Sequence, residues 1–312
     1  MKKYLLVAVC IIMMSMTASA ITINKAMLDH NGEVTLFDGD KIQDAINAAA
    51  DGDVIYLTLG SFKPFNVTKK ITIRGTGETS IIDGDVNISI PGSPKLTNPV
   101  MEALAVSGTV NIGAQVDDMI LRKCKIANFT IGAQVDGAVL DRCYITSTLT
   151  LSSYIKGMTV VNTKLFSVRA NFGATQNTTF VNCNFYILHT DYFSATLINS
   201  IIQNYSSNYT LNSTVILNTL IGRGITIGSS SVAQNCFYEQ NTNVIQHNCE
   251  CFWNTSTLQS TGYLGTDGTV VGIYGGDSPY TLVPSVPKVT SSDLQLDNEK
   301  KQLNVKLTVS PQ

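Results

Sequence analysis

The stretch IGAQVDDMILRKCKIANFTIGAQVDGAVLDRCYI, which runs from Ile112 to Ile145, contains the hexapeptide IGAQVD twice. The second copy begins at Ile131, 19 residues after the first. A repeat at an interval of about 20 residues is typical of a solenoid, in which each repeat forms one coil. The interval therefore predicts a repetitive architecture for this part of the chain.

The same spacing continues beyond the two hexapeptides. Seven segments align without gaps, namely LRKCKI, LDRCYI, VVNTKL, FVNCNF, LINSII, ILNTLI and AQNCFY. They consist of short apolar, largely β-branched runs separated by Gly, Asn, Asp and Ser, with no amphipathic helix inside a repeat and no leucine-rich template. This pattern predicts an all-β, parallel β-helix whose coils stack about 4.8 Å apart by strand pairing.

The third column of the alignment marks a corner of the coil. It contains Lys123, Arg142, Asn162, Asn182, Asn199, Asn218 and Asn235. Apolar residues stand two positions before this column and three positions after it, so the in-out alternation of a strand breaks there. A residue in the left-handed conformation can reset the alternation, and Asn tolerates that conformation well. We expect the stacked amides to hydrogen-bond from coil to coil, as a ladder formed by Asn162, Asn182, Asn199, Asn218 and Asn235.

A short helix near residues 41–50 precedes the coils. Asp40 as N-cap and Gln43 three positions later match a capping box. One face of the helix is apolar, formed by Ile42, Ala45, Ile46 and Ala49. A solenoid end exposes strand edges and core, so we predict that this helix covers the first coil.

The sequence divides into three regions. Residues 1–20 combine a basic start, an apolar run and Ala-Ser-Ala, which predicts a cleaved secretory signal peptide. Residues 21–261 form the predicted β-helix. Residues 262–312 contain a Gly- and Pro-rich segment and then LQLDNEKKQLNVKLTV, which predicts a terminal β-hairpin. We expect a secreted protein in the periplasm, at the outer cell surface or outside the cell, without a membrane span after cleavage.

The composition argues against a nucleic-acid-binding surface. The formal charge is −2, and loss of the two signal-peptide lysines would lower it by two more. Charged residues make up 14% of the chain, against about a quarter in a typical globular protein. Nucleic-acid binding needs a basic face, so no nucleic-acid partner is expected.

Two stretches carry a family resemblance. IQDAINAAADGDVIYLTLGSF followed by FNVTKKITIRGTG resembles the opening of the right-handed parallel β-helix proteins of the pectate-lyase-like superfamily, and the Asn ladder resembles theirs. The resemblance covers roughly Gly39 to Trp253 and implies a right-handed, single-stranded parallel β-helix. DGTVVGIYGGDSPYTLVPSVPKV is similar to the tail of uncharacterised secreted β-helix proteins of Gram-negative bacteria, which implies no particular chemistry.

The catalytic signatures of that superfamily are missing. Of the polygalacturonase pattern, only the paired Asp is matched, by Asp117 and Asp118, and the pectate lyase RxPxxR pattern is absent. Family catalytic residues therefore cannot be carried over. His189 and Asp191 in ILHTDYF are the candidates for acid-base chemistry. The alternative is an ordinary polar loop.

Other residues are candidates for binding. Asp117 and Asp136 should lie one coil apart, where their repulsion could be relieved by calcium, or both could be solvated turn residues. Arg122 and Asp141 should form an ion pair between coils. Exposed aromatic rings on a β-helix face could stack on sugars, or could pack on the coil surface; the cluster is Tyr186, Tyr192, Tyr205 and Tyr209.

Six cysteines follow the predicted signal peptide. Cys124 and Cys143 would point the same way in stacked coils, with Cβ atoms too far apart for a disulfide. We therefore expect buried thiols at these positions. Apart from calcium, we expect no cofactor.

Three functions remain open from the sequence. The first is a non-catalytic envelope or extracellular protein that binds a polysaccharide or another cell-surface glycan. The second is a polysaccharide lyase or glycoside hydrolase with an unrecognised site. The third is a structural or adhesive spacer. The missing catalytic signatures favour a protein that is not an enzyme, although fold does not determine activity.

Overall fold

The computed structural model describes residues 24–89, 95–152, 154–170, 175–189, 194–203, 209–222, 224–238, 264–280, 288–297 and 302–310. The predicted signal peptide, Asp191, Tyr192 and Tyr205 lie outside these residues. The described residues form a parallel β-helix, as the sequence predicts, with two twelve-stranded sheets that run along the stack of coils.

The first sheet contains the strands that come immediately before the corner column. Its parallel strands are Val54–Leu57, Thr72–Arg74, Val100–Glu102, Ile120–Arg122, Val139–Asp141, Thr159–Val161, Thr178–Val181, Ala195–Ile198, Val215–Leu217 and Val232–Gln234. Two antiparallel strands, Lys25–His30 and Glu33–Asp38, extend this sheet at its N-terminal end, and Lys25–His30 pairs with Val54–Leu57. This antiparallel pair was not predicted from the sequence.

The second sheet contains the strands that come after the corner. They are Gly60–Phe62, Phe65–Val67, Ser80–Ile82, Val86–Ile88, Ala105–Ile112, Lys125–Ile131, Tyr144–Leu151, Lys164–Ala170, Asn184–His189, Ile201–Ile202, Leu220–Ile221 and Phe237–Tyr238. Three further parallel pairs join successive coils: Leu96–Thr97 with Val116–Asp117, Ile155–Lys156 with Thr175–Gln176, and Tyr209–Leu211 with Ile225–Ile227.

All seven corner residues have the predicted left-handed backbone, with φ between 48° at Asn199 and 54° at Lys123. The in-out alternation of side chains restarts after each of these corners, as expected. The apolar residues before the corner are buried in six coils, and so are those after it, such as Leu121 and Ile126. The exceptions are Ala233 and Tyr238, which belong to the last coil described.

The corner amides do not form the predicted side-chain ladder. Within the described part of the chain, no side-chain hydrogen bond joins one corner Asn to another. Such bonds run instead along a column of the second sheet. The Nδ2 of Asn87 donates to Oδ1 of Asn66 over 2.9 Å, and the Nδ2 of Asn111 donates to Oδ1 of Asn87 over 3.0 Å.

The N-terminal helix, α1 (Ile42–Ala48), follows a 3-10 turn at Gly39–Lys41. Its apolar face is buried as predicted. The predicted capping box is wrong, because the 3-10 turn takes up Asp40 and no side chain caps the helix. Gln43 instead binds the backbone of Asn66, accepting from its N–H over 2.8 Å and donating to its carbonyl oxygen over 3.2 Å.

Residues 264–280, here named the C-terminal strap, pack against the outside of the later coils. The strap buries Val270, Val271, Ile273 and Tyr280 against Ile201 and Leu220. These two side chains project outward from the second sheet, whereas their neighbours Ile202 and Ile221 project into the main core.

The predicted C-terminal hairpin is confirmed, because Lys288–Asp297 pairs antiparallel with Gln302–Ser310. Cys124, Cys143 and Cys183 are buried free thiols, as expected for the first two. In the part of the chain that the structure describes, no helix has the length and apolar character needed to cross a bilayer.

Candidate functional site

A crevice opens on the outer face of the second sheet, across four consecutive coils. Its cavity volume is about 170 Å³. The described residues that line it are Tyr144, Thr146, Lys164, Leu165, Phe166, Asn184, Tyr186 and Gln203.

The repeat explains how these residues meet. Tyr144 pairs in register with Lys164, and Lys164 pairs with Asn184, so one outward column contributes three side chains. Two positions further along each strand, the alternation of a β-strand brings Thr146, Phe166 and Tyr186 to the same face. Gln203 comes directly after the strand Ile201–Ile202 in the next coil.

Aromatic rings form the walls of the crevice. The rings of Phe166 and Tyr186 are stacked, with centroids 4.8 Å apart and planes inclined by 17°. Phe166 is nevertheless 40% exposed. The Nζ atom of Lys164 lies 4.8 Å from the ring centroid of Tyr144, its register partner on the adjacent strand. The crevice therefore offers flat apolar faces that remain accessible to a ligand.

Two buried amides lie among these rings. Asn184 is 3% exposed and Gln203 is 7% exposed. The Nε2 of Gln203 donates to Oδ1 of Asn184 over 2.8 Å. The Oε1 of Gln203 is buried and has no hydrogen-bond partner among the described residues. An unsatisfied buried acceptor costs about 1–3 kcal/mol, so a ligand that donates to it would recover a substantial free energy.

The ionisable chemistry of the crevice is limited. Lys164 is the only charged residue among the described residues that line it. Hydrolysis of a glycosidic bond usually needs two carboxylates that flank the bond. The lining instead combines aromatic stacking, amide hydrogen bonds and one ammonium group, which is a set of groups suited to binding.

Of the four predicted sugar-stacking tyrosines, Tyr186 lies in the crevice. Tyr209 begins the strand Tyr209–Leu211 in a separate two-stranded sheet, and Tyr192 and Tyr205 are outside the described residues. Tyr144, Phe166 and Gln203 were not among the residues predicted from the sequence. The aromatic signal was present, since Phe166 stands one coil before Tyr186 at the equivalent outward position.

The predicted acid-base pair is only half described. His189 ends the strand Asn184–His189 and is half-buried. Asp191 lies outside the described residues, so the pair remains a prediction.

At the predicted calcium position, a lysine supplies the positive charge. The Nζ of Lys95 lies 2.8 Å from Oδ2 of Asp117, and this contact raises the pKa of Lys95. The backbone N–H of Asp136 donates to Oδ1 of Asp117 over 3.1 Å. Among the described residues, no group of three His, Cys, Asp or Glu side chains could hold a metal ion. Calcium binding by Asp117 and Asp136 therefore remains a prediction that these contacts do not support.

The turn interpretation of the same region agrees with the backbone just after Asp117 and Asp136, whereas Asp117 itself ends a strand. Asp118 and Gly137 have φ values of 52° and 71°, so both occupy the left-handed region. The predicted ion pair between coils is also present, with Nε of Arg122 3.3 Å from Oδ2 of Asp141.

A second opening, of about 370 Å³, lies between the strap and the Asn corner. Asp267 and Asp277 of the strap and Asn182 and Asn199 of the corner contribute to its lining. Burial raises the pKa of Asp267, but hydrogen bonds from the backbone and hydroxyl of Thr269, from its own backbone N–H and from Asn199 together leave the pKa below its ordinary value. This opening adjoins Asn182, which binds the strap through its side-chain amide.

The chain was compared with models of known protein families, with curated proteins and with solved structures, and none of the three comparisons found a match.

Proposed function

We propose that this chain is a secreted, non-catalytic carbohydrate-binding protein with a β-helix of the pectate-lyase-like type, and that the crevice around Phe166 and Tyr186 binds the sugar. The ligand is a polysaccharide or another cell-surface glycan. The observation that carries the proposal is the accessible stacked pair, Phe166 and Tyr186, beside the buried amides of Asn184 and Gln203.

The combination suits a sugar ring because the two kinds of surface on a sugar need two kinds of partner. The C–H groups on the face of a pyranose are apolar and pack on aromatic rings, whereas its hydroxyl groups require hydrogen bonds. Aromatic side chains supply the first contact at Tyr144, Phe166 and Tyr186. The amides supply the second.

The proposal of binding without catalysis has two supports. The catalytic patterns of the superfamily are missing from the sequence. In addition, the described lining of the crevice has a single ionisable cation and no carboxylate pair. The superfamily assignment rests on the sequence resemblance and on the parallel β-helix.

A glycan array with purified protein tests the proposal, followed by product analysis of every glycan that binds. Tyr186→Ala should weaken binding roughly tenfold, since removal of a stacked ring costs ~1 kcal/mol or more. The control is Tyr154→Asn, which removes an exposed ring elsewhere and keeps a residue that tolerates the left-handed backbone at that position.

Two results would contradict the proposal. If no glycan binds, the crevice is not a carbohydrate site. If a bound polysaccharide is converted to unsaturated or shortened oligosaccharides, the protein is a lyase or hydrolase instead.

A further inference from the structure

We infer that the crevice receives one sugar ring at the end of a glycan, and that Gln203 determines which ring is accepted. This inference rests on the proposed function and narrows it to a ligand class. The class is a terminal pyranose that is neutral or anionic and that directs a hydroxyl or N–H group at the buried amide of Gln203.

The size of the crevice supports a single ring. Its volume is about 170 Å³. An engineered protein cavity of about 150 Å³ is known to bind benzene, which is one six-membered ring. An internal residue of a polysaccharide is bonded to a neighbouring sugar on each side, so the chain would have to leave the crevice in two directions. A terminal residue is bonded to one neighbour, so the chain leaves the crevice in one direction only.

The requirement for a donor follows from Gln203. Its Nε2 is already committed to Asn184, whereas its Oε1 is buried and without a hydrogen-bond partner among the described residues. A ligand hydroxyl or N–H would satisfy this acceptor. A site built to hydrogen-bond a hydroxyl group rejects an analogue that lacks it far more strongly than an apolar pocket rejects a change in size.

The charge of the crevice further restricts the class of ligand that can bind. Lys164 is the only charged side chain among the described lining residues. A sugar that carries a free ammonium group would be repelled by Lys164, whereas neutral and carboxylated sugars would not. An N-acetylated amino sugar is neutral and remains acceptable.

The test uses the full chain and a panel of methyl pyranosides, followed by saturation-transfer NMR and titration calorimetry. The panel contains gluco, galacto, manno and N-acetylglucosamine glycosides, their single-deoxy analogues, and glucosamine as the cationic member. At least one methyl pyranoside should bind, and one of its deoxy analogues should bind at least tenfold more weakly. Glucosamine should bind more weakly than N-acetylglucosamine.

Variants of Gln203 separate recognition from folding. Gln203→Leu should weaken binding at least tenfold and should abolish the discrimination against the deoxy analogue. Gln203→Glu keeps an acceptor and should retain that discrimination. Circular dichroism and thermal unfolding establish that each variant is folded, and Tyr154→Asn, at an exposed position outside the crevice lining, serves as the control.

The outcomes distinguish this inference from the proposed function. Binding of polysaccharides without binding of any methyl pyranoside would overturn the single-ring inference and leave the proposed function standing. Unchanged discrimination in Gln203→Leu would overturn the role of Gln203. If neither polysaccharides nor methyl pyranosides bind, both proposals fail.

Discussion

The side-chain amide of Asn182 donates hydrogen bonds to the carbonyl oxygen of Ile273, 91 residues later in the chain, over 2.9 Å, and to that of Gly275 over 2.7 Å. The corner of the β-helix therefore holds the strap. Asn218 contributes a second attachment, because its Oδ1 accepts from the N–H of Thr266 over 3.1 Å and its backbone oxygen accepts from the N–H of Gly272 over 2.9 Å.

Replacing Asn182 with Gly should loosen the strap. Gly adopts the left-handed backbone freely, so the change removes the amide without backbone strain. The buried carbonyl oxygen of Gly275 would lose this donor, and that of Ile273 would keep only the N–H of Tyr280, at a cost of about 1–3 kcal/mol. Hydrogen exchange measured by mass spectrometry should show lower protection across residues 264–280.

The matched control is Asn235→Gly, at a corner with the same backbone conformation and an exposed side chain. Exchange in the strap should be unchanged in that variant. Equal loss of protection in both variants would mean that the corner amide does not hold the strap.

Truncation of the apolar anchor of the strap should have a larger effect. Ile273 is fully buried against the outward side chains of the second sheet. Ile273→Ala should destabilise strap docking by about 2–5 kcal/mol, as for other large-to-small changes at buried sites. Limited proteolysis should then cleave within residues 264–280, while cleavage within the coils stays slow. Leu264→Ala, at a position 49% exposed, should not increase cleavage.

Acid should weaken the N-terminal end of the protein through Asp53. Burial raises the pKa of Asp53, but hydrogen bonds from the Ala50 N–H and His30 outweigh it, so the pKa lies below its ordinary value. The carboxylate therefore contributes stability that is fully present above about pH 4, the ordinary Asp pKa, and is lost as the pH falls through the lower folded-state value.

Asp53→Asn should accordingly lower the melting temperature at pH 7, because hydrogen bonds to a charged carboxylate, worth about 1.5–3 kcal/mol, are replaced by weaker hydrogen bonds to a neutral amide. The melting temperatures of the variant and the parent protein should converge at low pH. The exposed Asp44→Asn, on α1, is the control. A constant difference from pH 7 to pH 2 would contradict the role of Asp53.

The buried thiols should resist modification in the folded protein. Burial raises the pKa of Cys183 to about 12, so it is present as the unreactive thiol at pH 8. Cys124 and Cys143 are buried as well, whereas Cys236 is partly exposed. In a time course of alkylation followed by peptide mapping, Cys236 should be labelled before these three, and denaturant should remove the difference. Equally rapid labelling of Cys183 would show that the later coils open readily.

The coils could be predicted because their geometry recurs. Each repeat places its apolar residues and its corner at the same positions, so Leu121, Ile126 and Asn162 follow from alignment alone. The identity of the partners of the corner amides could not be predicted. Asn182 has an equivalent in every later coil, yet its hydrogen-bond acceptors come from a segment outside the repeat.

A signal for strap docking was nevertheless present in the outward column of the second sheet. This column reads Lys125, Tyr144, Lys164 and Asn184 in the earlier coils and then Ile201, Leu220 and Phe237. Polar residues give way to apolar ones where the strap covers the sheet. The change indicates an outer covering, although it does not identify which segment supplies it.

The candidate site was predicted only in part for a similar reason. Tyr186 was noticed because aromatic residues cluster around it. Gln203 does not belong to a repeating column of the sequence. Its role in the site depends on burial and on an unsatisfied oxygen, which are properties of the folded chain. The predicted capping box is wrong because a 3-10 turn takes up Asp40, and Gln43 binds the backbone of Asn66 instead.

The strap also restricts how the number of coils can vary. It reaches from Asn218 to Asn182, and a coil added or removed between these corners would shift one attachment by about 4.8 Å relative to the other. A strap of fixed length could not then satisfy both. Duplication or deletion of whole coils should therefore be tolerated before Asn162, where the described strap residues make no corner contact. The same changes between Asn182 and Asn218 should prevent the strap from docking at both corners.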